Sequence, residues 1–399
     1  MSVVADARAM AEDLVRLRRD LHREPEVGLH LPRTQERVLA ALDGLPLEIT
    51  TGRSSTAVTA VLRGARSGRA VLLRADMDGL PVQEATGLDY ASRAEGTMHA
   101  CGHDLHTAML AGAARLLSDR RDRLDGDVVF MFQPGEEGWE GARAMIDEGV
   151  LDAAGPRVEA AYGLHVFSTF ERGFTSRPGP MMAASASFAV TVRGRGGHGS
   201  APHLARDPVP VAAEMITALQ TMVTRRFDVF DPVVLTVGVV RAGSRSNIIP
   251  ETARFEATVR TFSRDAGQRV RDAAVRLVRG IAQAHDVEAD AEYLEARPAT
   301  VNDDGETAFA RDVVRETFGD DGYATMPNPI AGAEDFSRVL AEVPGCFLAL
   351  GALPAGADPR RAAFNHSPHA VFDDSVLADG AALFTELARR RLASEGDRP

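Results

Sequence analysis

The chain contains no lysine: all 45 of its basic residues are arginine. Schiff-base and pyridoxal-phosphate catalysis need a lysine amine, and the usual phosphate-binding P-loop needs one too, so those classes are excluded at once. Cysteine is nearly absent. Cys101 and Cys346 are the only two, too few for a disulfide framework, and a reducing cytoplasm fits. No run of about 18 or more uncharged apolar residues occurs, so no transmembrane helix is expected. The first twenty residues alternate acids, arginines and alanines, and lack the basic start and apolar core of a secretory signal. Positive charge is in deficit: the formal net charge is −12, which argues against a nucleic-acid partner. No G-x-S-x-G string is present, so a serine hydrolase has no obvious nucleophile.

What is present reads as an α/β protein of two domains, a division that 399 residues allow. Met10, Leu14, Leu17 and Leu21 recur at helical spacing until Glu24-Pro25 breaks the pattern. Short continuous apolar runs then end in polar or glycine-rich residues. Val71 to Ala75 leads into Asp76-Met77-Asp78-Gly79, and Val128 to Phe132 into Gln133-Pro134-Gly135-Glu136-Glu137-Gly138. Ala160 to Leu164 leads into His165, and Cys346 to Gly351 precedes Asn365-His366-Ser367. Such runs, separated by helical stretches such as Thr107 to Leu117, are expected of strands buried on both faces. Sites in such sheets lie beyond the carboxyl ends of the strands.

A different texture begins near Ala184. Ser185 to Val192 alternates like a strand, and Val209 to Val223 is helical. Val233 to Val240 and Ala253 to Phe262 are strand-like, Val270, Ala274, Leu277 and Ile281 share a helix face, and Val287 to Leu294 closes the block. This β-α-β-β-α-β order predicts a small α+β domain, residues 184–296, inserted into a larger one made of 1–183 and 297–399. Ser375 to Leu392 reads as a closing helix.

The densest chemistry is His99-Ala100-Cys101-Gly102-His103-Asp104-Leu105-His106. Thiolate and imidazole both ligate borderline-soft divalent metals, and Gly102 allows a bend that brings Cys101 and His103 into one small volume. A buried small hydrophobe and a helix cap would account for the same two residues. Glu136-Glu137 after a strand can be a solvated pair; in a metal hydrolase one carboxylate binds metal while its neighbour takes a proton from water. His165 and His366 are isolated histidines, a type more often structural than ligating. Gly194-Arg195-Gly196-Gly197-His198-Gly199 matches the dinucleotide fingerprint, but Ser200-Ala201-Pro202-His203 does not open a helix, so that reading fails. The hydrophobic run into Asp76-Met77-Asp78-Gly79 also looks like a phosphatase nucleophile loop, whose usual downstream lysine is missing here.

Six strings in order carry a family resemblance. They are Leu73 to Pro81 (LRADMDGLP), Met98 to Asp104 (MHACGHD), Gln133 to Gly138 (QPGEEG), Gly197-His198 with Pro202-His203, Ser246 to Pro250 (SNIIP), and Glu334-Asp335-Phe336. Together they resemble the M20 metallopeptidase family, in its branch of N-acyl-amino-acid amidohydrolases, hippurate hydrolases and indole-acetyl-amino-acid hydrolases. The resemblance covers nearly the whole chain. It implies a catalytic domain with a mixed central sheet flanked by helices, and an inserted lid and dimerisation domain. It implies two divalent metal ions held by Cys101, His103, Glu137, His165 and His366, with Glu136 as general base. His198 matches the lid histidine that supports the oxyanion in a neighbouring subunit's site, and Asn247 and Arg260 match positions that hold the substrate's carboxylate. A homodimer is implied. Most peptidase members open their site with His-x-Asp; here Asp76-Met77-Asp78 stands in its place, which leaves both aspartates as candidates for orienting ligand histidines. The mixed ligand set suits Zn²⁺ or Mn²⁺, with Co²⁺ and Ni²⁺ also open. The activity implied is hydrolysis of N-acyl amino acids to a carboxylic acid and an amino acid. A dipeptidase or carboxypeptidase of the same family, and a non-catalytic metal-binding dimer, are the alternatives. No position that the last would lack is empty here.

Overall fold

A computed structural model describes residues 2–393, which form two compact units. The larger comprises residues 2–179, 301–328 and 338–393; the smaller comprises 180–300 and 329–337.

The larger unit is built on an eight-stranded mixed sheet. Its strands are β1 (Leu47–Thr51), β2 (Val58–Leu62), β3 (Ala70–Asp76), β4 (Asp127–Gln133), β5 (Ala160–Phe167), β6 (Gly173–Ser176), β7 (Tyr323–Thr325) and β8 (Gly345–Gly351). The order across the sheet is β1-β2-β4-β3-β5-β8-β6-β7. The central four, β4, β3, β5 and β8, run parallel to one another, while the β1–β2 hairpin joins β4 antiparallel and β6 joins β8 antiparallel. Every residue of β3, β4, β5 and β8 is buried. That explains their near-continuous apolar sequence: helices cover both faces, so neither face needs polar residues. The exceptions are confined largely to one end. Arg74, Asp76, Gln133 and His165 are fully or almost fully buried, and they sit where the strands finish.

Helix His103–Ser118 crosses this sheet and packs against the closing helix Leu377–Leu392. Their approach requires a glycine. A Cβ on Gly380 would lie 2.3 Å from the Met109 sulfur. The four apolar runs and both helical stretches fall where their patterns placed them. The β1–β2 hairpin and the short strands β6 and β7 carry no comparable signal; Leu-Glu-Ile-Thr-Thr in β1 is a mostly exposed edge.

In the smaller unit, four antiparallel strands take the order Val234–Ala242, Thr252–Thr261, Ala184–Arg193, Glu288–Arg297. Helices Pro208–Arg226 and Arg264–Ala284 pack on this sheet, burying Phe188, Val190, Phe255, Met215, Leu219 and Val270. The β-α-β-β-α-β order is the one the alternation predicted. Asp207 caps the first helix ahead of Pro208, and Ser263 caps the second through the Ala266 amide.

Candidate metal centre

The site is assembled at the carboxyl ends of β3, β4 and β5. Helix His103–Ser118 begins at Gly102, whose φ of +85° lies in the left-handed region. A Cβ at that position would come within 2.4 Å of Val166 Cγ2, at the end of β5. Gly102 is therefore needed for both conformation and space, and it sets Cys101 and His103 against β5.

Cys101 is a centre of convergence. Its sulfur lies 3.3 Å from His165 Nε2 and 3.2 Å from His366 Nε2. His366 Nε2 is in turn 3.1 Å from Glu137 Oε1. Potential ligand atoms fall within 4.8 Å of one another in three overlapping groups: Cys101, His103 and His165; Cys101, Glu137 and His366; and His103, Glu136 and Glu137. Residues up to 265 apart in sequence thus share one small volume. Cys101, His103, Glu136 and His165 are buried, while the His366 side chain is 54% exposed and marks the open edge.

Backbone contacts fix these side chains. Asp78 accepts the amide N–H of Glu136 (3.0 Å) on one oxygen and that of Glu137 (2.9 Å) on the other. His165 Nδ1–H donates to the Val166 carbonyl at 2.8 Å, which turns Nε2 toward Cys101. His366 has a positive φ of +72°, unusual for a residue with a Cβ. Its amide N–H donates to the Ala100 carbonyl (2.8 Å), and neighbouring Asn365 donates to the carbonyls of Cys101 (3.2 Å) and Val166 (2.9 Å). Asn365 also accepts from the Ser168 amide at 3.1 Å. These bonds hold a strained residue in place, as is common at functional sites. Sequence reasoning named Asp78 only as a candidate for orienting histidines and missed Asn365 altogether. An asparagine beside a histidine carries no signal until the fold shows what it touches.

The electrostatics favour a cation. Burial pushes the Cys101 thiol up, but the imidazoles of His165 and His103 outweigh it and bring it down to about 6. Burial likewise raises Glu137, yet its bond to His366 and the charge of His103 hold it down at about 2. Hydrogen bonds to Cys101 and Glu137 raise His366 to about 10. Thiolate and carboxylate are the ligating forms of these groups. Both ring nitrogens of His103 are buried without a hydrogen bond of good geometry; the nearest carboxylate oxygens are 3.5 Å away on Asp76 and 3.4 Å away on Asp78. Leaving a buried polar group unsatisfied costs about 1–3 kcal/mol. A divalent cation would satisfy it, and thiolate, imidazole and carboxylate are suitable donors. The residues fit the metal that the motifs imply.

The other three motif residues lie in the smaller unit. His198, in the short strand Gly197–His198, pairs with Ile248, and its Nδ1 is 2.9 Å from Ser200 Oγ. Asn247 is beside it, its carbonyl accepting the Gly199 amide at 2.9 Å. Arg260 is on strand Thr252–Thr261, where it and Arg297 both register against Ser185. Burial, then the charge of Arg297, hold the Arg260 guanidinium below its ordinary value. The structure brings His198 and Asn247 together and sets Arg260 on a separate strand.

Comparison with known proteins agrees with this geometry. The chain is 34% identical over 390 residues to thermostable carboxypeptidase 1 of Saccharolobus solfataricus, covering 96% of each chain. It is 35% identical over 378 residues to N-acetylcysteine deacetylase of Bacillus subtilis, covering 94% of this chain and 96% of the relative. A solved dinuclear metal-binding peptidase of the M20 family from Bacillus subtilis superposes with a TM-score of 0.82 at 32% identity, over 96% of this chain and 99% of the other. Residues 72–390 match peptidase family M20/M25/M40, and with full-length relatives on both counts the chain belongs to that family.

Proposed function

We propose that this protein is a metal-dependent amidohydrolase that cuts the amide bond of N-acyl amino acids, releasing a carboxylic acid and a free amino acid. The observation that carries the reading is the meeting of Cys101, His103, Glu137, His165 and His366 in one volume, with the Glu136 carboxylate among the same atoms. In this reading those five residues hold two divalent ions, zinc or manganese first, cobalt or nickel as alternatives. Bound there, the ions supply Lewis acidity that polarises the scissile carbonyl and lowers the pKa of water toward about 7.

Glu136 is the general base. Glu136 and Glu137 lie in the turn that follows β4, and Asp78 holds the amide of each on a separate oxygen, so the neighbours can hold different roles. The Glu136 carboxylate takes a proton from the attacking water and hands it to the leaving amine nitrogen. His198 supports the developing oxyanion, a contribution typically on the order of 100-fold in rate. Asn247 and Arg260 bind the substrate's carboxylate; the like charge of Arg297 beside Arg260 supports an anion there. The chain acts as a homodimer through the 184–296 block, the lid and dimerisation domain of this reading. Supporting this, the outer strand Val234–Ala242 is a sheet edge with Val234 and Val240 exposed. A cytoplasmic location is part of the reading, supported by two free thiols.

The test is metal analysis together with release of amino acid from hippurate and several N-acetyl amino acids, on wild type and Glu136→Gln. Two metals per chain in both proteins, with turnover lost in the variant by roughly 100-fold or more, is the expected result. Retained turnover in the variant removes the general-base assignment; no metal in the folded, reduced wild type removes the whole reading. The identity to a carboxypeptidase favours one second reading, since a peptide is also an N-acyl amino acid. Cleavage of substrates with a free α-amino group on the acyl side would select it.

A further inference from the structure

A fourth group of potential ligands, Asp76, His103 and His106, lies beside the three described above. Two of its members, Asp76 and His106, are already committed to other partners. Asp76 Oδ2 accepts from Arg74 Nη1 at 2.8 Å, and Asp76 Oδ1 meets His106 Nδ1 at 2.6 Å. The other ring nitrogen of His106 accepts the Val166 amide N–H at 2.8 Å. A backbone amide can only donate, so His106 Nε2 carries no proton. The proton of the neutral ring is then on Nδ1, facing the aspartate. No lone pair of His106 remains for a metal.

The position of this imidazole follows from the sheet. Ladder pairing between β3 and β5 runs from Val71↔Ala160 to Arg74↔Gly163 and stops there. Amide groups alternate between strand edges. Ala161 N–H points to the Pro344 carbonyl, on the side of β8, so that of Val166, five residues on, points toward β3. Beyond Gly163 it has no backbone acceptor. His106 fills the gap, linking Asp76 at the end of β3 to Val166 at the end of β5.

We infer that His106 is a positioning residue of the metal centre and not a ligand: by capturing the amide of Val166 it fixes the peptide that follows His165. His165 in turn donates from Nδ1 to the Val166 carbonyl, and its ring stands 4.8 Å from that of His106. The direction of His165 Nε2 therefore depends on Val166, whose amide Arg74, Asp76 and His106 hold in series and whose carbonyl, one peptide on, anchors the His165 ring. The inference rests on the proposed metal centre for its consequence, but the tautomer and the bridge do not require metal.

Two measurements on the full chain test it. The first is ¹⁵N NMR of histidine-labelled, metal-free protein. A ring protonated at Nδ1 and bare at Nε2 is expected, and it should vanish in His106→Gln. A His106 ring protonated at Nε2 overturns the inference. The second is titration with Co²⁺ alone, read by its visible spectrum, alongside kcat and KM. Gln at position 106 can place Oε1 near the Nε2 position and still accept the Val166 amide; Asn is too short to reach it. His106→Gln should keep two Co²⁺ per chain with affinity near wild type. His106→Asn should keep the stoichiometry, lose about 10- to 100-fold in affinity and lose kcat more than KM. Loss of one Co²⁺ in both variants would make His106 a ligand, and an Asn variant equal to wild type would remove the positioning role. If wild type takes up no Co²⁺, the metal centre itself fails, and the NMR result still decides the tautomer.

Discussion

Gly102→Ala is the sharpest test of how the fold builds the site. Two separable costs arise. Alanine at φ +85° pays about 1–2 kcal/mol for the left-handed conformation. Its Cβ would also lie 2.4 Å from Val166 Cγ2 and 3.2 Å from Phe372 Cε1, and relieving such overpacking typically costs about 1–3 kcal/mol more. The sum is about 2–5 kcal/mol. Gly138 provides the control, since it has a φ of +88° but open space where a Cβ would go. Gly138→Ala should show only the conformational part. Val166→Ala removes the offending methyl, so in that background Gly102→Ala should fall toward the cost of Gly138→Ala. Thermal unfolding of the metal-free chain, followed by circular dichroism, measures the series; 1 kcal/mol corresponds to roughly 2–4 °C in a unit of this size. A Gly102→Ala protein as stable as Gly138→Ala, or no coupling to Val166, would refute the steric argument.

Other outcomes are accessible to simple assays. In the metal-free protein at pH 7.5, a thiol reagent should label Cys101, lowered to about 6, and spare Cys346, which burial pushes up to about 12; adding Zn²⁺ should protect Cys101. Asp104 pairs with buried Arg18 (2.9 Å) and His22 (2.7 Å), so Asp104→Asn, which leaves that arginine short of its partner, should destabilise by about 3–5 kcal/mol in thermal melts. Burial raises the Asp104 carboxyl, but Arg18 and His22 hold it well below its ordinary value. Its stabilisation is therefore present above the unfolded value near ~3.9 and is lost as pH falls below it, a loss the variant should not show. Asp78→Asn can no longer accept both Glu136 and Glu137 amides, and metal affinity measured against a chelator should fall about 10- to 100-fold.

The sequence alone determined the frame. Continuous apolar runs marked β3, β4, β5 and β8, because strands covered on both faces have no need of polar residues. Period-two and helical patterns marked the βαββαβ block for the corresponding reason. Cys101-Gly102-His103 was legible as chemistry because soft ligands flanking a glycine are hard to explain as packing. The six ordered motifs then named the family, and that resemblance in turn implied His165 and His366 as ligands. On their own those two histidines carried no signal, since local pattern cannot say which distant residues will meet. Only the tertiary structure decided that. It placed His165 and His366 on one thiolate through the parallel pairing of β5 with β8 and the loop that follows β8. It also gave Asp78, Asn365 and His106 their backbone partners. A bond to a backbone amide or carbonyl leaves no trace in the identity of the residue it reaches, and so these three became readable only once the chain was folded.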